Sequence, residues 1–287
     1  MRLLSIFFFI TILFSACKKS ELEQIPSNEP PTDNTISSVT IENYITRTYI
    51  LTLGREPDPT EFSQALTNLT AAKIDSASRR NFLSQVFSSN DFRPHVYEEN
   101  KINLLNNIDT ADFTNWISLF TYLLSDSTYV LQWTFLQYEV DRLIPLRNAF
   151  DEYVNGSIEM IELQRRMCNN YEYDQLNMGS ANFVLSTFQN LINRNPTSSE
   201  QQSGISIVDG NNAIIFLQAG SSKNDYLNII TNSSNYYEAQ VVLLYQKFLN
   251  RLPNTLEMAA GTSKFQSTED IKTVQYDILS TDEFIGL

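Results

Sequence analysis

Few side chains in this 287-residue chain are equipped for bond-making chemistry. It has one histidine, His95, and two cysteines, Cys17 and Cys168. A single imidazole excludes a three-histidine metal site. Two thiols exclude a disulfide framework and a four-cysteine zinc site. No Cys-x-x-Cys-His run exists, so c-type haem attachment is excluded too. No metal and no other cofactor is expected. His95 follows Pro94 in what reads as a loop, and no partner for a general base stands near it in sequence. Cys168 falls in a helical stretch and reads as a small buried apolar residue. The densest polar group is Asn169-Asn170-Tyr171-Glu172-Tyr173-Asp174, followed by Asn177-Met178-Gly179-Ser180. There Asp174 could accept hydrogen bonds, Asn177 could donate them, and Tyr171 and Tyr173 could stack on a small ligand or glycan. The competing reading is a linker whose Asn and Asp side chains satisfy its own backbone. A carboxylate-dependent hydrolase also stays open, because Asp and Glu number 33. Glycoside hydrolysis needs two facing carboxylates, and no spacing singles out a pair.

The net charge of −13 argues against a phosphate-backbone binder, which needs clustered Lys and Arg, so no nucleic acid partner is expected.

The elements that must position these residues are repeated. Three stretches share one pattern. The first is Tyr49-x-x-x-Leu53-Gly54-Arg55-x-Pro57-x-x-x-Glu61. The second is Phe188-x-x-x-Ile192-Asn193-Arg194-x-Pro196-x-x-x-Glu200. The third is Tyr245-x-x-x-Leu249-Asn250-Arg251-x-Pro253-x-x-x-Glu257. Each is followed by a second mark: Ser89-x-x-Phe92, Ser233-x-x-Tyr236 and Thr281-x-x-Phe284.

The pattern has a physical reading. A helix with one apolar stripe precedes each Arg, as in Val241, Leu244, Tyr245, Phe248 and Leu249. Gly or Asn then supplies the left-handed conformation that ends a helix. The Arg places a cation at the negative end of the helix dipole, and Pro forbids continuation. Asp58, Thr197 and Asn254 follow as N-caps, each with Glu three residues on, which is a capping box. The closing Ser/Thr-x-x-aromatic reads as a cap for another helix. A ligand-binding role for Arg and Glu therefore competes with a complete structural account.

Between the first and second copies the chain also reads helical. Phe113, Trp116, Ile117, Phe120 and Leu124 form one stripe. Tyr129 to Leu143 is apolar on most sides and reads as a buried central helix ended by Pro145. Asn155-Gly156 ends the next, and Ser157 caps a helix carrying Glu162 and Arg166. The crowded aromatics, Trp116, Trp133, Tyr129 and Tyr138, read as core rather than sugar platform. Gly numbers 8, low for a chain of tight β turns, and only residues 205–210 hint at a strand or a helix end.

The first residues read as an address. Arg2, an apolar run from Leu3 to Phe14 and Ser15-Ala16-Cys17 form a secretory signal too short to span a bilayer. The Cys at the cut site resembles a bacterial lipoprotein signal, although Phe14 stands where Leu is usual. That resemblance implies acylation of Cys17, palmitate included, and a lipid anchor in the cell envelope, in the outer membrane. Glu21 and Glu23 resemble the surface-export tag of Bacteroidetes lipoproteins without fixing the leaflet. Asp75-Ser76-Ala77, Asp109-Thr110-Ala111 and Asp126-Ser127-Thr128 resemble the O-glycosylation sequon of the same phylum. The repeats resemble the bacterial "LGR-x-PD" helical modules of secreted and surface proteins, and more faintly phycobilisome linker modules. The first copy reads LGREPDP, whereas the others read NRNPT and NRLPN. The module resemblance implies a helical scaffold and carries no catalytic residues.

The expected organisation is a signal peptide over 1–16, a lipidated Cys and flexible tether over 17–37, and one all-α domain over 38–287. Within it fall repeat one (41–92), a helical insertion (93–180), repeat two (181–236) and repeat three (237–287). The expected role is a non-enzymatic envelope scaffold or accessory subunit with a protein partner. Glycan or small-ligand binding is the alternative.

Overall fold

A computed structural model of the chain describes residues 36–287. The signal segment, Cys17 and most of the tether lie outside the described residues. The fold is all-α. Its helices are α1 (Ser38–Leu53), α2 (Pro59–Ala71), α3 (Ser76–Phe87), α4 (Phe92–Leu105), α5 (Thr110–Ser125), α6 (Trp133–Val154), α7 (Met160–Cys168), α8 (Tyr171–Leu176), α9 (Ser180–Leu191), α10 (Ser198–Val208), α11 (Lys223–Thr231), α12 (Ser234–Leu249), α13 (Thr255–Thr268), α14 (Lys272–Leu279) and α15 (Asp282–Ile285). A 3₁₀ turn, Ser127–Gln132, joins α5 to α6. Two short strands, β1 (Ala213–Ile215) and β2 (Gln218–Gly220), pair as an antiparallel hairpin between α10 and α11. Nothing in the sequence pattern announced them. Their two-residue turn uses Phe216 and Leu217 at φ 50° and 63°, where Gly or Asn is usual. The segment 205–210 is the end of α10, not a strand.

Each copy of the motif builds the same corner. The first helices, α1, α9 and α12, bury the predicted stripes: Ile41, Tyr44, Ile45 and Tyr49 in one, Val184, Phe188 and Leu191 in the next, Val241, Leu244 and Phe248 in the last. Gly54, Asn193 and Asn250 take the left-handed conformation at φ 70°, 55° and 53°. Full capping boxes then open α2, α10 and α13 from Asp58, Thr197 and Asn254.

The boundary expected between repeats two and three cuts through a helix. Ser233 caps α12, its side chain accepting from Tyr236 N at 3.2 Å. The same helix then carries the apolar stripe of the third copy, so the repeats overlap by a whole helix. The end of the chain packs back on its beginning. Phe284 of α15 lies 5.9 Å from Tyr44 of α1 and 6.1 Å from Phe248, ring centre to ring centre. Arg47 reaches across to the carbonyl oxygens of Phe284 and Phe248. Repeat one and repeat three therefore share one core.

The segment 93–180 departs most from expectation. Pro145 does not end a helix, because α6 runs for 22 residues straight through it to Val154. The missing N–H leaves the Asp141 carbonyl without its intrahelical donor, and Arg166 Nη1 donates to the Pro145 carbonyl at 3.1 Å. Tyr129 to Leu143 is not a buried central helix. Its first part is the 3₁₀ turn, and Leu131 is 92 % exposed. Ser157 is not the cap of α7; Glu159 holds that place. Glu162 and Arg166 do pair one turn apart, at 2.8 Å.

Candidate functional site

The three motif arginines are held alike. Arg55 donates to both oxygens of Glu61 at 2.7 and 2.9 Å, Arg194 to Glu200 at 2.8 and 2.7 Å, and Arg251 to Glu257 at 2.7 and 2.7 Å. Each also donates to the carbonyl of the residue after it, at 3.0, 3.0 and 2.9 Å. Each guanidinium sits over the aromatic ring six residues earlier, Tyr49, Phe188 or Tyr245, at 5.5, 5.2 and 5.2 Å. One Glu oxygen accepts simultaneously from the N-cap N–H, closing the box at 2.8, 2.7 and 2.7 Å. Arg and Glu thus lock the corner they flank. The arginine hydrogen bond holds the carboxyls of Glu61, Glu200 and Glu257 below their usual range, Glu200 at about 2.

A further partner escaped the sequence pattern. Asp91, Asn235 and Glu283 each stand just before the closing aromatic, and each meets its motif Arg. The distances are 2.7, 3.4 and 2.7 Å. The position holds Asp, Asn or Glu, so no shared letter marked it. What repeats is an acceptor oxygen. The aromatics beside it, Phe92, Tyr236 and Phe284, are buried.

The polar patch that begins at Asn169 is a short helix rather than a linker, but Asn170 and Asn177 satisfy its backbone as the second reading expected. Tyr171 to Leu176 form helix α8, capped by Asn170, whose side chain accepts from Tyr173 N at 2.9 Å. Tyr173 offers no stacking face, because it is fully buried; Asn190 donates to its hydroxyl at 3.0 Å. Tyr171 packs against Trp116 and Phe120 at 4.7 and 5.2 Å. Asn177 donates to the Tyr173 carbonyl at 2.9 Å, closing its own helix. Asp174 joins a charge cluster. It accepts from Arg142 at 2.9 Å and from Lys223 at 2.6 Å. Arg142 also pairs with Glu139, and its guanidinium lies 4.2 Å from the Tyr138 ring. The cluster ties α6, α8 and α11 together with balanced charge. Burial pushes the Glu139 carboxyl up and the Lys223 ammonium down, against the pull of their partners. Arg142 Nε finds no acceptor among the described residues. Two clefts flank Tyr138. One, about 520 Å³, is lined by Asp174, Asn177, Ser180 and Lys223. The other, about 550 Å³, is lined by Arg142, Arg165, Asn169 and Asn224.

His95 is not in a loop. It lies in the first turn of α4, half-buried against Gly54, where an added Cβ would come within 2.5 Å of His95 Nδ1. Its Nε2 stands 3.3 Å from Glu99, which also accepts from Lys247 at 2.6 Å. Burial pulls the Glu99 carboxyl up, but His95 and Lys247 hold it below the usual range. Cys168 is fully buried, and burial pushes its thiol up to about 12. Asp75, Asp109 and Asp126 of the three Asp-Ser/Thr-x sequences all act as N-caps.

The α5–α6 hairpin also departs from an ordinary surface. Its inner side buries Phe113, Phe120, Leu136, Val140 and Leu143. Its outer side exposes Leu119, Tyr122, Val130, Leu131, Phe135 and Tyr138. Helix α5 packs chiefly on α6. Both tryptophans of the chain, Trp116 and Trp133, belong to this hairpin. Between Asp112 and Glu139 the only charged residue is Asp126, and its carboxylate caps the 3₁₀ turn through Thr128 N at 2.9 Å.

Among the described residues no helix is long and apolar enough to cross a membrane, and no group of metal-ligating side chains is assembled. Compared with models of protein families, with curated proteins and with solved structures, the chain matches none.

Proposed function

We propose that the protein is a lipid-anchored scaffold or accessory subunit of the bacterial cell envelope, without an enzymatic role, docking a protein partner through the α5–α6 hairpin. The observation that carries this reading is the hairpin itself. It is a long, nearly uncharged stretch of apolar and aromatic surface in a chain of net charge −13. Contiguous exposed apolar surface of this kind marks interaction sites. The repeat motif supports the same reading, because its Arg and Glu side chains are committed to holding corners. The anchor is the acyl group expected on Cys17, the segment 17–37 is its tether, and the outer membrane is its destination.

The test is co-purification of the full-length protein from native membranes in mild detergent, with mass spectrometry of what stays bound. A stoichiometric protein that is lost on Leu131→Lys supports the reading. A protein recovered alone, or a partner indifferent to that substitution, contradicts it.

A second reading, saccharide binding, draws on one observation. Asp174 and Asn177 line the same cleft as Tyr138 and Lys223, mixing acceptors and donors beside an aromatic ring. A glycan array probed with the purified protein and with Asn177→Ala tests it; binding by both alike, or by neither, speaks against that cleft.

A further inference from the structure

We infer that the α5–α6 hairpin is a self-association surface, on which two copies of this chain pack their hairpins into a four-helix bundle. The inference rests on the scaffold reading above and names the first protein that the scaffold holds.

Charge is the first argument. Two chains of net charge −13 repel one another. Packed helices approach to about 8–10 Å, so a seam that carries no carboxylates adds nothing to that repulsion. Residues 113–138 hold Asp126 alone, at the turn. The hairpin is where two copies can meet without that cost.

Pattern is the second. On the outer side Phe135 and Tyr138 fall at i and i+3 of α6, Leu119 and Tyr122 at i and i+3 of α5, and Leu131 stands exposed in the 3₁₀ turn between the two helices. That is the spacing of a helix–helix seam. The inner stripe already joins α5 to α6. A hairpin with an inner and an outer apolar stripe is the half-unit of a four-helix bundle, in which one seam closes the chain and the other joins two chains.

Size is the third. Leu131 is 92 % exposed and Tyr122 66 %. Aromatic side chains carry about 150–250 Å² each, of which Tyr122, Trp133, Phe135 and Tyr138 expose 37 to 66 %. With Leu119, Val130, Trp133, Phe135 and Tyr138, the exposed apolar area approaches the roughly 800 Å² per partner of a standard interface. A lipid surface is the other class of occupant. Interfacial helices draw on Lys and Arg to meet anionic headgroups, and residues 113–138 contain neither.

The experiment is sedimentation equilibrium of the chain from residue 18 onward. This keeps every described residue, whose core runs from Ile41 to Ile285, and omits the apolar leader and Cys17. The wild type should be a dimer. Leu131→Lys and Leu131→Glu should each be monomeric with unchanged helical circular dichroism and melting temperature, because the side chain is exposed. A wild type that stays monomeric at about 100 μM, weak even for a transient contact, overturns the inference. So does a dimer that survives both substitutions. A monomer that floats with neutral phosphatidylcholine vesicles and blue-shifts its tryptophan emission also overturns it, making the hairpin a membrane tip. A monomer whose membrane partner is nonetheless lost on Leu131→Lys overturns self-association alone and leaves the scaffold reading standing.

Discussion

Glu200→Gln isolates what the repeated Arg-x-Pro-cap-x-x-Glu corner contributes. The substitution keeps the shape of the side chain and removes its charge. In the native corner Glu200 accepts two bonds from Arg194, at 2.7 and 2.8 Å, and one from Thr197 N at 2.7 Å. A glutamine carbonyl can keep the backbone bond but not the paired contact with the guanidinium. Exposed ion pairs contribute only about 0.2–1 kcal/mol; hydrogen bonds to charged groups contribute about 1.5–3 kcal/mol. The half-exposed corner falls between, so the expected loss is about 1–2 kcal/mol. For a domain of this size that lowers Tm by roughly 2–8 °C. The pH dependence has a definite sign. Arg194 holds the Glu200 carboxyl at about 2, against an ordinary value of 4.5. A depressed acid contributes its full stability above its unfolded-state value and loses it as pH falls through the folded value. The wild-type advantage should therefore be constant above about pH 5 and shrink toward zero as pH approaches 2. Urea unfolding followed by circular dichroism, wild type and variant side by side across that range, reads both quantities. Equal stability near neutrality, or a gap that persists at the acid end, would show that the Arg194–Glu200 pair does not hold the corner.

Other consequences follow from particular contacts. Asp174→Asn leaves Arg142 and Lys223 facing each other without their shared carboxylate, and breaking a buried pair costs about 3–5 kcal/mol; urea unfolding should show a loss near the lower end, because Asp174 is partly exposed. Gly204→Ala forces a Cβ within 2.9 Å of Val184 and 3.1 Å of Tyr226, an overpacking expected to cost about 1–3 kcal/mol and visible as a lower Tm. The Cys168 thiol, buried and pushed up to about 12, should ignore a thiol reagent at neutral pH in the folded protein and react fully in urea. Reaction of the native protein on mixing would contradict its burial.

How far the sequence could be read depended on whether the cause was local. Capping boxes, left-handed Gly or Asn and the Arg beside them are set within about a dozen residues, so the three corners were legible down to Asp58, Thr197 and Asn254. The stripes of α1, α9 and α12 were legible for the same reason. The acceptors Asp91, Asn235 and Glu283 were missed because they act from 36, 41 and 32 residues away, and chemically alike residues share no letter. The overlap of repeats two and three was hidden because the closing mark of one and the stripe of the next were counted as separate helices. Pro145 misled because a helix packed over its length can tolerate one missing N–H. The exposed face of α6 misled for a deeper reason: apolar periodicity records that a surface wants covering, not whether this chain covers it. In the 169–182 patch, tertiary packing decided matters. Tyr173 went to the core, Asn170 and Asn177 to backbone, and Asp174 to two cations from distant helices.

In the cell the hairpin should be covered by another protein chain. Photo-crosslinking in intact cells tests it most directly, with the photoreactive residue placed at Leu131 and, as a control, at exposed Ser263 of α13. A discrete crosslinked band is expected from position 131, whether to a second copy or to another envelope protein, and none of matching strength from position 263. Equal, diffuse labelling from both positions, or crosslinks from 131 to lipid alone, would contradict it.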